Sequence, residues 1–116
     1  PWRQEVLEIV RREQYYFLPQ IETKIMNEGW ASRCHELLLE PDEVLERREI
    51  MTFADRHSGI LQESPMSLNP YRLGYGIFAD IEERLGRERA FEVRAFYNDY
   101  HFLREFLTKE LCESQR

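Results

Sequence analysis

Several kinds of residue are scarce in this sequence of 116 residues, and each scarcity excludes a class of protein. The two cysteines, Cys34 and Cys112, lie far apart without C-x-x-C spacing, so neither a disulfide framework nor a cysteine-based zinc knuckle is predicted. Glycine and proline number only five each beside 42% hydrophobic residues, which argues against a disordered chain. The sequence therefore predicts one folded domain with two free thiols, as expected in a reducing cytosol.

Positive charge and long apolar runs are also in short supply. The chain carries 16 basic and 22 acidic residues, a formal charge of −6, and lacks the basic stripe that contacts to nucleic-acid phosphates require. No run approaches the roughly 18 apolar residues of a membrane helix. The start, Pro1 to Glu5, does not have the pattern of a signal peptide. We expect a soluble, cytoplasmic protein with neither nucleic-acid nor membrane partners, while its oligomeric state is not predicted.

Apolar residues recur every three to four positions along most of the chain, and runs with a period of two are nearly absent. This pattern predicts an all-α fold, a single helical domain of about five or six helices. The expected helices cover residues 2–18, 20–39, 42–56, 70–85, 87–96 and 98–112. Pro19 is expected to end the first helix near Leu18 and to open the second as its first residue. The run Tyr15 to Phe17 is expected to pack in the core and at the hinge, with aromatic rings that face a ligand as the alternative. A mixed fold with one short hairpin is the alternative to an entirely helical fold.

The densest turn signals fall between residues 58 and 70, which are predicted to be a loop after a helix closed by Gly59. Asn69 followed by Pro70 specifies the start of the next helix, as a cap and a first residue. Small residues at Gly74 and Gly76 are expected to let another helix approach closely, and the surface around Gly29 is a candidate. A phosphate-binding loop is the other interpretation, but the remaining glycine spacing is missing. Similarly, residues 91–94 are interpreted as helix rather than as a short strand.

The least ordinary chemistry lies on one helix stripe made of Glu28, Ser32 and His35. At about 100° per residue these three side chains share a face, although Glu28 and His35 are roughly 10 Å apart along the axis. We predict Glu28 as a metal ligand, and His35 and Ser32 as catalytic residues. A structural alternative stays open, because a buried ion pair between packed helices also places polar residues on a core-facing stripe.

His57 is the second candidate metal ligand, since it comes just before the predicted loop. Simple complementarity between an imidazolium and a helix C-terminus is the other explanation for its position. Glu28, His35 and His57 supply three ligands only if the loop folds back over the helix, and no H-E-x-x-H motif is present. We therefore expect a partial site for zinc or another divalent metal, completed by residues elsewhere. His101 is expected at the surface.

Four blocks of sequence, in order and spanning nearly all of the chain, resemble the stage V sporulation protein R (SpoVR-like) family. They are residues 25–32 followed by His35, residues 69–74 with 78–82, residues 91–94 and residues 102–111. This resemblance implies a sporulation protein involved in spore cortex formation. Family members are several times longer, so the chain is expected to be part of a larger protein or a short relative.

The piece Glu28 to Ala31 also resembles the third-ligand helix of certain zinc metallopeptidases, in which that glutamate binds a metal already held by two histidines. The histidine pair has no counterpart here. This resemblance implies that the chain contributes a metal-ligand helix to a metallohydrolase-like site, with amide or peptide bonds of the cell wall as substrate class. The alternative is a non-catalytic helical module that binds protein partners, or other parts of the full-length protein, during cortex assembly.

Overall fold

The fold is described from a computed structural model, which covers residues 2–39, 47–62 and 68–114. These residues form seven helices in the following order: α1 (Trp2–Ile21), α2 (Lys24–Leu39), α3 (Arg47–Ile60), α4 (Pro70–Leu85), α5 (Arg87–Phe96), α6 (Asp99–Phe106) and α7 (Lys109–Ser114). No strand occurs within these ranges. The predicted all-α domain is confirmed, and the short strand considered at residues 91–94 is absent because α5 covers them.

The boundary between the first two helices lies later than predicted. Pro19 is inside α1, which continues to Ile21, so its expected role as the first residue of the second helix is wrong. Near the end of a helix proline removes one backbone hydrogen bond without preventing a further half turn. The Glu22 backbone N–H still donates to the Leu18 carbonyl at 3.0 Å, and the Thr23 hydroxyl donates to the Pro19 carbonyl at 2.7 Å.

The start of α2 is fixed by a carboxylate from a distant part of the chain. Both oxygens of Asp99 accept hydrogen bonds from the first turn of α2, from the N–H groups of Ile25 and Met26, each at 2.8 Å. The Asp99 N–H in turn donates to the Glu22 carbonyl at 2.7 Å. Since the first N–H groups of a helix have no partner within it, Asp99 satisfies donors that would otherwise need water. The turn between α1 and α2 is thereby attached to α6.

The core lies between α2, α4, α5 and α6. Its nine buried apolar residues are Met26, Leu73, Ile77, Phe78, Ile81, Ala90, Val93, Phe102 and Phe106. Phe78 and Phe102 are its largest members, with ring centroids 4.9 Å apart. Trp30 of α2 packs edge-on against Phe78 at 5.2 Å. Helix α4 contributes four of the nine residues and is therefore the central element of the fold.

The limits of α4 agree with the prediction at both ends. Asn69 caps the helix by accepting from the Tyr71 N–H at 3.0 Å, and Pro70 is its first residue. Gly86 separates α4 from α5 at φ 90°, a conformation that glycine adopts without the penalty other residues incur. The predicted helix over 87–96 is confirmed as α5.

The last predicted helix, over residues 98–112, is divided in two. Asn98 caps α6 by accepting from the His101 N–H at 3.1 Å, and α6 ends at Phe106. Thr108 then accepts from the Leu111 N–H at 3.2 Å, as an N-cap does. The Thr108 side chain accepts a hydrogen bond from the backbone and so starts a new helix, α7. The apolar periodicity of residues 98–112 alone had predicted one continuous helix.

The third helix extends four residues beyond the end of its predicted range of 42–56, and its predicted start lies outside the described residues. Residues 40–46 lie outside the described part of the chain, and α3 runs from Arg47 to Ile60. Gly59 lies inside α3 and does not terminate it, so the loop predicted from residue 58 begins three residues later, at residue 61. The central residues of that predicted loop, 63–67, also lie outside the described ranges.

Helix α1 buries none of its side chains. The core packing predicted for Tyr15, Tyr16 and Phe17 is wrong, since all three are exposed. The described helices pack mainly on α2 and α4 and leave α1 uncovered. None of the helices in the described ranges combines the length and apolar character that crossing a membrane requires.

Candidate functional site

Two glycines let α2 and α4 touch backbone to backbone. A Cβ built on Gly29 would lie 2.1 Å from the Gly74 carbonyl carbon, and one built on Gly74 would lie 2.2 Å from the Ile25 carbonyl oxygen. No side chain fits at either position, so the close approach expected at Gly74 is confirmed and its partner is the Gly29 surface. This crossing brings Glu28, the first residue of the polar stripe, next to α4.

Glu28 lies beside the crossing and is half-buried. The Tyr71 phenol donates a hydrogen bond to the Glu28 carboxylate, and this hydrogen bond raises the pKa of Tyr71 because the carboxylate stabilises the protonated phenol. The Asn69 cap fixes the backbone at Tyr71 and so helps to hold the phenol in place. Tyr71 was not predicted as a site residue. Its position in the first turn of the well-specified helix α4 was the only indication in the sequence that its side chain is held in place.

Ser32, one turn further along α2, is only 6% exposed. It belongs to the same face of α2 as the buried Met26 and Gly29. The small hydroxyl side chain therefore lies within the helix packing. Its catalytic role stays a prediction.

A charged network at the contact of α2 with α4 was also missed. Arg33 donates from Nε to Glu82 at 2.9 Å and from Nη1 to Glu36 at 2.5 Å. Tyr75 donates to the same Glu36 carboxylate at 2.6 Å. Burial alone would lower the pKa of Arg33, but its hydrogen bonds with Glu82 and Glu36 outweigh that effect and raise it above the usual value. Burial, followed by the hydrogen bond to Glu36, raises the pKa of Tyr75. The Arg33 to Glu36 spacing of three residues was the sequence signal for part of this network.

The two histidines predicted for the site come together in a cleft between α2 and α3. The Phe53 ring lies between them, with its centroid 5.1 Å from that of His35 and 5.3 Å from that of His57. A cavity of about 500 Å³ is lined by both histidines, Phe53 and Leu39. The ring centroid of Tyr75 lies 5.9 Å from that of His57. Helix α3 itself, rather than the following loop, brings His57 to α2.

The His57 imidazole is half-buried, and its Nε2 atom is buried without a hydrogen-bond partner. His35 on the opposite side of the cleft is exposed. Glu28 does not line this cleft and is engaged with Tyr71. The described structure thus brings together two of the three residues predicted to share a site, and it places the third at the crossing of α2 with α4.

Across residues 2–39, 47–62 and 68–114, no group of three histidine, cysteine, aspartate or glutamate side chains is arranged to hold a metal ion. Cys34 is half-buried, and burial raises the pKa of its thiol, which makes the thiolate ligand form less accessible. His101 is exposed as expected, with Nδ1 2.7 Å from the Asn98 side-chain oxygen.

The family model described as "SpoVR like protein" matches residues 1–116, the whole chain. The chain belongs to the SpoVR-like family. It is similar to the uncharacterized protein YcgB of Escherichia coli (strain K12), with 34% identity over 90 residues. That match covers 70% of this chain and 18% of the relative, so the matched part of the chain spans less than a fifth of the relative's length. No solved structure matches the chain.

Membership of the SpoVR-like family suggests a sporulation-associated role. Family membership agrees with the resemblance of the four sequence blocks, and the more specific role in spore cortex formation stays a prediction. The local likeness of residues 28–31 to zinc metallopeptidase helices stays a prediction.

Proposed function

We propose that this chain acts in spore cortex formation as a helical part of a longer SpoVR-like protein, and that it contributes Glu28 to a metallohydrolase-like site. The proposed substrate class is the amide or peptide bonds of the cell wall. The observation that carries the proposal is the position of Glu28, a half-buried carboxylate oriented by the Tyr71 phenol at a backbone-tight helix crossing.

The donor set fits one ligand of a metal site. A catalytic zinc usually has three protein ligands and one open position. Glu28 has the right chemistry, and its hydrogen bond to Tyr71 is the kind of outer contact that orients a carboxylate ligand. Because the described residues hold no complete ligand set, the other ligands would come from elsewhere in the longer protein. When bound, zinc or another divalent metal would supply polarisation of the scissile carbonyl and an activated water.

The two predicted histidines line a cleft that Glu28 does not line. His57, proposed as a metal ligand, has an Nε2 atom without a hydrogen-bond partner, and this atom is buried, so its side chain would have to move to bind a metal. His35, proposed as a proton donor or acceptor, has an accessible ring on the same cleft. Both histidines could act with Glu28 only if residues elsewhere in the longer protein joined the cleft between α2 and α3 to the crossing of α2 with α4. Ser32 would act only if its helix packing opened.

The test uses the longer protein that carries this chain, with the Glu28→Gln variant and with Glu83→Gln as a matched exposed control. We expect the parent and the control to hold about one divalent metal per chain by elemental analysis and to cleave peptidoglycan fragments. Glu28→Gln should lose metal and activity together, because a single ligand contributes a large part of metal affinity. A metal-free parent, or unchanged metal and activity in Glu28→Gln, removes the enzyme hypothesis.

The second candidate is a catalytically silent interaction module in cortex assembly. It is favoured by one specific observation: a 20-residue helix, α1, leaves all of its large apolar side chains exposed. Under this hypothesis Glu28→Gln affects stability alone, and neither the parent nor any variant acts on peptidoglycan. The same assay therefore separates the two candidates.

A further inference from the structure

Helix α1 presents an apolar stripe that no described residue covers. Its six members, related by steps of three, four or seven residues, are Trp2, Val6, Ile9, Val10, Tyr16 and Phe17. All six are exposed, from 42% for Phe17 to 70% for Tyr16. A helix without tertiary packing is marginal in water even at this length, because most helix stability in proteins comes from burying one face. The stripe therefore needs a partner surface.

One acidic residue lies inside the stripe. Glu13 follows Val6 by seven positions, which places the two side chains about 20° apart around the helix. No ionic partner of Glu13 occurs among the described residues, whereas Glu8 on the polar face pairs with Arg12 at 3.1 Å. A surface that covers the stripe would bury Glu13 as well, so it must offer a cation at that point. The stripe itself carries no such cation.

This charge pattern argues against a second copy of the chain as the occupant. Two α1 helices packed stripe to stripe would bring together two uncompensated carboxylates. Each chain also carries a formal charge of −6, which adds repulsion between copies. The exposed stripe runs from Trp2 to Phe17, roughly 22 Å at 1.5 Å per residue, so its partner must offer an apolar surface of about that length. The relative YcgB extends far beyond the matched segment, which makes up only 18% of its length.

We propose that α1 docks into an apolar groove in another part of the same longer polypeptide, with a lysine or arginine of that groove facing Glu13. This inference rests on the part of the proposed function that makes the chain a piece of a longer protein. It does not depend on any metal. The turn at Glu22 and Thr23, attached to Asp99, sets the direction in which α1 leaves the core. The helix acts as a rigid connector between the helical core and that groove.

The test measures amide hydrogen exchange in α1, both in the 116-residue chain and in the longer polypeptide. Residues 6–17 should exchange at least ~10-fold more slowly in the longer polypeptide, because docking suppresses local opening. Ile9→Asp, on the stripe, should abolish that protection. Gln4→Asp, on the opposite face of α1, should retain it. Glu13→Gln should reduce the protection by less than Ile9→Asp does.

Equal exchange in both contexts, or equal loss in Ile9→Asp and Gln4→Asp, would overturn the proposal. So would α1 protection in the 116-residue chain that rises with concentration and accompanies dimer formation in sedimentation, since the occupant would then be a second copy. A natural polypeptide made of these 116 residues alone would overturn it too. Glu28→Gln should leave α1 protection unchanged, so failure of the metal-site proposal is distinguishable from failure of the docking proposal.

Discussion

Helices α1 and α4 have the same kind of apolar periodicity, but α4 is buried in the core and α1 is exposed. Helix α4 buries five of its sixteen residues, and α1 buries none of its twenty. Phe78 of α4 is completely buried, whereas Phe17 of α1 is exposed. The difference shows that an amphipathic pattern predicts which face of a helix tends to be buried, but not which surface buries it.

The comparison is tested most strongly by removing one phenyl ring from each helix. Phe78→Ala should lower the free energy of unfolding by about 3–5 kcal/mol, because it leaves a large cavity at the centre of the core. Phe17→Ala, the matched change on α1, should alter it by less than about 0.5 kcal/mol in the 116-residue chain. Urea denaturation followed by circular dichroism measures both. A Phe17→Ala cost close to that of Phe78→Ala would show that α1 is packed after all.

A second pair of substitutions separates tight from open helix surfaces. Gly74→Ala should destabilise the chain by about 3 kcal/mol, because the new methyl group meets the Ile25 carbonyl, which has no side-chain freedom to move away. Gly59→Ala on α3 has nothing within 4 Å of its new Cβ. It should be neutral or stabilising by up to about 1 kcal/mol, through helix propensity. Thermal unfolding of the two variants side by side decides the matter, and similar melting temperatures would contradict the backbone contact.

A smaller effect is expected at Asp99, which attaches the turn between α1 and α2 to the helical core. Asp99→Ala removes two hydrogen bonds from a carboxylate to the start of α2, and we expect a loss of about 1–3 kcal/mol. Asp55→Ala is the control, since Asp55 is exposed and its recorded contact is through its backbone carbonyl. Beyond the stability change, hydrogen exchange should accelerate at Ile25 and Met26 in Asp99→Ala. Unchanged exchange there would mean that other groups, such as water, cap α2 equally well.

Much of the fold could be predicted from sequence because its signals are local. Asn69 and Pro70 specified the start of α4, and the periodicity that follows specified its length. Gly74 indicated a close helix contact before its partner was known. The boundary at Pro19 was misplaced because the deciding interaction, from Asp99, is more than seventy residues away in the chain. Local rules contain no information about such a partner.

The candidate site was predictable in composition but not in arrangement. Helical spacing placed Glu28, Ser32 and His35 on one stripe, yet it could not show that Ser32 would be buried by the crossing. His57 was found as a residue type, and only the packing of α3 showed that it shares a cleft with His35. The position of Tyr71 just after Pro70 did not identify it as a site residue, because its significance comes from a carboxylate on another helix.

The contact of Asp99 with the first turn of α2 also bears on the order in which the chain acquires its structure during synthesis. The acceptor for those amides is made 74 residues after the donor at Ile25. At translation speeds of about 5–20 residues per second, the start of α2 waits several seconds for its cap. Such long-range closure raises the contact order and slows folding relative to a bundle held only by neighbouring helices. Until Asp99 emerges from the ribosome, the nascent α1 and α2 form a segment with an exposed apolar stripe and unsatisfied amides, which is the kind of intermediate that chaperones bind.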